Sequence, residues 1–331
     1  MNYYIENPGT DACYNLALEQ FIFDSLDRQH SYFMLWQNEN SIIVGKHQNT
    51  IAEINAAFVK KHKINLVRRL SGGGAVYHDL GNINYTIITD TVNNETIDFH
   101  SFCLPVKDAL VSFGVPVLFS GRNDLTVDGL KVSGNAQYVR QGRVMHHGTI
   151  LYDSNLDMLC GALNVTNDKI ESKGIKSVRS RVTNIRPYMN KDMTTGDFFI
   201  SLKTYLFSAF DLINYDLCAA EETEVEMLIE KKYCGWSWNY GASPPYNVRK
   251  ERRIEGCGKI EILLDVEKEG IINNISFYGD FFSNDDPDRL AEILKGHHFE
   301  YNELAETIKD INISRYFYNL DIKTFLALLF E

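Results

Sequence analysis

At 331 residues the chain exceeds what one core comfortably organises, so a large domain and a small one are expected. Hydrophobic residues make up 44% and charged residues 23%, the balance of a folded soluble enzyme without a long disordered tail. A formal net charge of -11 disfavours nucleic acid, whose counterions are displaced by clustered Lys and Arg, and favours a small anionic substrate or a protein partner. The opening MNYYIENPGTDACYNLALEQ has no basic start or unbroken apolar core, and no later run reaches the roughly 20 apolar residues of a membrane span. A cytoplasmic protein with no membrane partner is expected. Cys13, Cys103, Cys160, Cys218, Cys234 and Cys257 form no CxxC pair, which argues against zinc and dithiol redox sites and for reduced, packed thiols.

Asp11 to Leu26 reads as a first helix, with Asp11 as N-cap and Cys13, Leu16, Ala17 and Phe21 on one core-facing side. Short β-rich runs follow at Tyr32–Trp36, Ser41–Gly45, Ile64–Arg68 and Ile83–Thr89. Between the last two lies RRLSGGGAVYHDLGNINYT, the most unusual stretch of the chain. Gly72, Gly73 and Gly74 suit neither strand nor helix. A loop without Cβ atoms can approach a ligand and offer several N–H groups to an anion. A flexible turn would explain an isolated glycine triplet. Arg68, Arg69, His78, Asp79 and Asn82 crowd around this one, which moves a binding role ahead. No Walker A or GxGxxG pattern is present.

A helix at Ser101–Phe113 and a strand at Val115–Phe119 lead to GRNDLTVDGLKVSGNAQ. Asp128-Gly129 between LTV and LKV signals a two-residue hairpin. That turn predicts the pairs Val127 with Leu130, Thr126 with Lys131, Leu125 with Val132 and Asp124 with Ser133. Asp124, Thr126, Lys131 and Ser133 then share a polar face, while Leu125, Val127, Leu130 and Val132 share an apolar one. An ordinary cross-strand salt bridge is the plain explanation, but Arg122, Asn123, Gly134 and Asn135 extend the cluster. A second hairpin turns at Gln141-Gly142 into VMHHGTILYD, where His146 and His147 face opposite ways and His147, Thr149 and Leu151 share a side. ESKGIKSVRSRVTNI is a basic loop able to fold over a phosphate.

Pro244-Pro245 within YGASPPYNVRKER marks a connector, and we divide the chain there into residues 1–245 and 246–331. Beyond it KIEILLDV and IINNISFYG flank the turn EKEG, Asp286-Pro287 opens a helix through Leu294, and two further helices end the chain. This tail carries no chemical motif. Helices mixed with short strands, without βαβ alternation, give an α+β fold with mixed or antiparallel sheets.

Together RRLSGGGAVYHDLGN, GRNDLTVDGLKVSGNAQ, HHGTILYD and KGIKSVRSRVTNI resemble the lipoate-protein ligase A family, in its order and at similar spacing, and the resemblance runs on through WSWNYG into the tail. It implies a large catalytic domain similar to biotin protein ligases with a small C-terminal domain, and an enzyme that activates lipoic acid with ATP and Mg2+ and acylates a carrier lysine. By motif, Arg69, Gly74, Ala75, Val76, Tyr77, Asn123, Asp124, Lys131, Arg179 and Arg181 would contact the nucleotide, with Asp124 near the metal. Trp36, Arg69, Ser71, Gly72, Gly73, His78, Lys131, His147 and Thr149 would face lipoate. Lys131 is the catalytic candidate. The implied carriers are lipoyl domains and the glycine cleavage H protein. Two alternatives stand beside this: an ATP-independent lipoyl or octanoyl transferase using a cysteine thioester, for which Cys160 lies nearest the motif strands, and a lipoate-binding protein without turnover.

Overall fold

The computed structural model describes residues 1–91, 98–121, 123–163, 181–241, 247–267 and 270–330. Its first strand β1 (Asn2–Ile5) leads into α1 (Ala12–Ser25), which starts where the Asp11 carboxylate accepts the Tyr14 N–H at 2.8 Å, a side-chain cap for an otherwise orphaned helix donor. There follow β2 (Ser31–Trp36), β3 (Ser41–Val44), α2 (Thr50–Glu53), α3 (Ala56–His62), β4 (Asn65–Arg68), β5 (Val76–His78), β6 (Asn82–Asp90) and α4 (Phe99–Ser112). Next come β7 (Leu118–Ser120), β8 (Asp124–Val127), β9 (Leu130–Arg140), β10 (Arg143–Leu151) and α5 (Leu156–Ala162). The strand expected at Val115–Phe119 is thus shorter and begins later, because Val115 and Val117 are drawn into the core beneath α4.

The remaining elements are α6 (Thr195–Phe210), β11 (Ile213–Tyr215), α7 (Ala219–Leu228), a π-helical turn at Ile229–Tyr233, and α8 (Trp236–Asn239). The tail holds β12 (Val248–Ile254), β13 (Gly258–Val266), β14 (Ile272–Gly279), α9 (Pro287–Leu294), α10 (Tyr301–Ile308) and α11 (Ile322–Phe330).

An eight-stranded mixed sheet runs β11-β1-β2-β6-β10-β9-β8-β7, and a small sheet β4-β3-β5 stands beside it. On one face of the large sheet Ile83, Tyr85, Leu125, Val132 and Ile150 form a core with α4 and α6. The alternate residues of the same strands face the other way, as a two-residue period requires. In the tail, β12-β13-β14 form an antiparallel sheet whose core draws only on residues 248–330. The expected α+β class with mixed and antiparallel sheets is the fold observed. Among the described residues no helix is long and apolar enough to cross a membrane.

Candidate active site

Four adjacent strands bring two rows of side chains together. Trp36 on β2 pairs with Asn84 on β6, and Asn84 with Thr149 on β10; one step along, Met34 pairs with Thr86, Thr86 with His147, and His147 with Ala136 on β9. Trp36, Asn84, Thr149, His147 and Ala136 border a cavity of about 280 Å³, closed from the other side by Ile43, Arg69, Gly73–Val76 and His78 of the small sheet and its glycine loop. Leu16 of α1 adds to the apolar part of the wall.

Behind the wall runs a continuous buried network. The Trp36 indole donates to Thr86 Oγ1 at 2.9 Å, and Thr86 donates to Glu19 Oε1 at 2.5 Å. Glu19 also meets His147 Nδ1 at 2.9 Å, while His147 Nε2 lies 2.6 Å from Ser71 Oγ, itself an acceptor from Arg69 Nε at 3.0 Å. Every donor is matched when His147 carries its proton on Nδ1 and the Ser71 hydroxyl donates to Nε2. Arg69 extends the network to the loop through the Gly72 and Gly74 carbonyls at 2.7 and 2.9 Å. Burial lowers its guanidinium to about 10, still cationic at neutral pH. Ser71, His147 and Glu19 have the connectivity of a nucleophile–base–orienter triad, but Ser71 lies in neither this cavity nor the one adjoining it, so the arrangement positions the wall.

His78 is held differently. Burial, then the positive charge of Arg69, lowers it to about 3, so it is neutral. Asn38 Nδ2 donates to its Nδ1 at 3.1 Å, which leaves the proton on Nε2. Among the described residues neither His78 Nε2 nor Asn84 Nδ2 has a hydrogen-bond partner, and both residues border the cavity.

At one end this cavity meets a second of about 430 Å³, and Ala75, Val76, Asp124, Lys131, Gly134 and Thr149 border both. The second has Glu53, Asn82, Ser120, Thr126 and Arg181 on its wall beside Tyr77, together with the apolar Leu151, Leu159, Leu163 and Val182. Lys131 Nζ contacts Asp124 Oδ1 at 2.8 Å, with the two side chains 35% and 32% exposed. A Cβ on Gly134 would come within 2.5 Å of the same ammonium, so glycine makes room for Lys131 to lie across the strand.

The hairpin turn forms as expected, with positive φ at Asp128 and Gly129, and Val127–Leu130 and Thr126–Lys131 pair as read from sequence. The next two pairs do not. Leu125 pairs with Ser133 and Asp124 with Gly134, because a β-bulge slips the register by one residue. Val132 joins the apolar core with Leu125 and Val127, which absorbs the extra residue. Asp124 and Lys131 still meet.

The glycine loop serves two purposes where one was expected. Gly72 borders neither cavity; a Cβ there would strike the Phe281 carbonyl at 2.2 Å, and Gly73 N–H donates to the same carbonyl at 3.3 Å. Gly74 has open space at its Cβ position and is the triplet's free surface to the cavity. Asn123 borders the first cavity, and Arg181 the second through a segment whose backbone pairs with Lys131 on both sides. Arg179 lies outside the described residues, as does Arg122. Arg68 is spent on backbone carbonyls of Gly45, Lys46, Gln48 and Trp238. The sequence reading missed Glu19, Asn84 and Asp280, the last brought to the cavity by the tail. Asn84 was within reach, since strand alternation puts it in step with Asn82 and Thr86.

Residues 11–207 match the lipoyl protein ligase A/B catalytic domain and residues 243–329 the bacterial lipoate protein ligase C-terminus. The chain is 41% identical over 331 residues to the lipoate-protein ligase LplJ of Bacillus subtilis, covering 99% of each. It belongs to the lipoate-protein ligase family. Among solved structures, a bipartite lipoate protein ligase from Thermoplasma acidophilum, studied with its E2 lipoyl domain, is 27% identical with a TM-score of 0.63 and covers 75% of this chain and 99% of that one. The Plasmodium falciparum LipL1 in complex with lipoate shares the fold at a TM-score of 0.79 and 24% identity, covering 99% of this chain and 97% of that one. The two cavities therefore belong to a ligase of this family, and its two-part family match extends over the tail as well as the sheet.

Proposed function

We propose that this ligase couples lipoic acid to ATP as lipoyl-adenylate and passes the lipoyl group to a lysine of an apo carrier. The observation that carries the reading is the place of Lys131, on the wall common to the cavity bordered by Trp36 and Leu16 and the cavity bordered by Arg181 and Thr126. The Trp36 cavity suits an acyl chain, and the cavity bordered by Arg181, Thr126 and Glu53 suits a nucleotide. A carboxylate oxygen attacking the α-phosphorus brings two anions together, so neutralising charge is the first requirement. The Lys131 ammonium meets both, and pyrophosphate leaves. When the carrier amine attacks the acyl carbon, the same ammonium stabilises the developing oxyanion and AMP departs.

Asp124 is the residue that would hold Mg2+, which takes one or two carboxylates together with substrate phosphates and keeps several waters; its carboxylate, about one-third exposed where the two cavities meet, supports that use once Lys131 turns to the substrate anions. The ion would draw charge from the phosphates. We also assign residues 1–245 to catalysis and 246–331 to an accessory domain, supported by their separate hydrophobic cores. Lipoyl domains and the glycine cleavage H protein are the carriers we propose.

The thioester alternative needs a cysteine at the cavity. Among the described residues none borders either one. Cys103 lies 3.6 Å from His146 Nε2, but burial pushes its thiol up to about 12 and His146 well below its usual range. Cys160 is packed in α5. The deciding experiment incubates the protein with lipoate and an apo lipoyl domain, with and without Mg-ATP, and follows the carrier's mass. Acylation only with ATP is expected; equal acylation without it, from lipoate or an acyl-carrier thioester, overturns the proposal.

A further inference from the structure

Six cysteines spaced far apart along the chain suggest no thiol pair, yet two of them meet in space. Cys13, in the first turn of α1, directs its Sγ to the Tyr233 carbonyl at 3.5 Å, which places it beside the following residue, Cys234. Cys13 is half-buried, Cys234 is exposed, and neither is in a disulfide. The surrounding contacts fix the two backbones relative to each other. Tyr233 OH and Lys232 Nζ both donate to Gln20 Oε1 of α1, at 2.9 and 2.8 Å, and Tyr233 is buried in the same hydrophobic cluster as α1. Cys234 closes the π-helical turn at Ile229–Tyr233, a rare conformation that recurs at functional positions.

We propose that Cys13 and Cys234 are a reversible thiol–disulfide site, oxidised by small linear disulfides of the glutathione type, that ties α1 to the Ile229–Tyr233 turn. The exposed Cys234 thiolate attacks one sulfur of the small disulfide; the first small thiolate leaves and a mixed disulfide remains on Cys234. Cys13 then gives up its proton and attacks Cys234 Sγ, forming the protein disulfide and releasing the second small thiol. Two protein thiols are oxidised and one small disulfide is reduced to two thiols. Burial, then the neighbouring Cys234 thiol, push the Cys13 thiol up to about 12, so its thiolate is scarce at neutral pH and the resolving step quickens as pH rises.

The consequence reaches the cavity through α1. Leu16, one turn beyond Cys13, borders it, and Glu19, nearly two turns on, holds His147. Drawing the two neighbouring thiols to a bond of about 2.05 Å would move the end of that helix. Coupling to lipoate rests on the ligase reading; the disulfide itself does not.

The test treats the reduced full-length protein with glutathione disulfide and maps its peptides by mass. A cross-link between the Cys13 and Cys234 peptides, lost on adding dithiothreitol and absent from Cys234→Ser and Cys13→Ser, is expected. The oxidised protein should show a lipoate KM raised by roughly five-fold or more, while Cys234→Ser keeps its reduced value under the same treatment. A glutathione adduct that persists on Cys234 without a cross-link even after long incubation in alkaline buffer overturns the site, and an unchanged KM in fully cross-linked protein overturns the coupling. Absence of lipoate-dependent turnover in the reduced protein would instead count against the ligase reading, with the peptide map still deciding the thiol site.

Discussion

Two charged clusters border the first cavity, and their surroundings set what each can do. Lys131 and Asp124 stand where two cavities meet, each about one-third exposed, in a setting where a single ion pair contributes little and can open. Glu19, His147, Ser71 and Arg69 are all buried and bonded to one another in series. Breaking such a set strands polar groups away from water. The first cluster is thus free to exchange partners, and the second is built to hold still. The proposed mechanism draws its chemistry from the first, and the packing draws its shape from the second.

Lys131→Ala should separate the two most clearly. Loss of one preorganised charge-stabilising donor costs about 3 kcal/mol, or ~100-fold in rate, and lipoate-dependent ATP–pyrophosphate exchange and transfer from added lipoyl-adenylate should both fall while thermal stability holds. Normal exchange in this variant would remove Lys131 from the mechanism. Glu19→Ala should do the reverse, lowering unfolding free energy by roughly 2–3 kcal/mol because Thr86 and His147 lose their acceptor; urea denaturation measures it, and an unchanged midpoint would dissolve the contrast. Gly72→Ala should cost about 1–3 kcal/mol by overpacking against the Phe281 carbonyl, whereas Gly74→Ala, with open space at its Cβ position, should leave stability alone and affect ligand binding.

Stability should also follow pH through histidines that the fold keeps neutral. Burial first, then nearby positive charge, hold His47 and His78 at about 3, below their unfolded value of roughly 6.5. Between those values the unfolded chain takes up protons that the folded chain does not. The contribution is therefore complete above about pH 6.5 and declines as pH falls toward 3, by about 1.4 kcal/mol per pH unit for each histidine. Urea midpoints at pH 7 and pH 5 test this, and His78→Gln should flatten the slope. The smallest effect is expected from Cys103→Ser and Cys160→Ser, which should leave ATP-dependent acylation near its original rate; loss of activity in a stably folded variant would revive the thioester mechanism.

What could be read in advance follows the reach of each physical signal. Turn chemistry is local, so Asp128-Gly129 announced the hairpin and the meeting of Asp124 with Lys131. The bulge at Leu125 was hidden, since it answers to a core assembled from several strands. Glu19 was invisible because a glutamate in an amphipathic helix ordinarily faces water; only the strand carrying His147, far along the chain, gives it a partner. Gly72 was noticed for the wrong reason, its neighbour being a tail carbonyl 209 positions later in the chain. The approach of Cys13 to the Tyr233 carbonyl, beside Cys234, likewise depends on packing that no spacing rule anticipates.

Asp124 has one further effect. It occupies the ammonium that incoming anions would reach under the proposed mechanism, so each ligand would arrive as a replacement and not as an addition. Binding then trades one counter-ion for another, and part of the gross attraction cancels. Such a site discriminates by what the newcomer offers beyond its charge, which sets a threshold against simple inorganic anions while leaving room for a carboxylate delivered on a fitting chain.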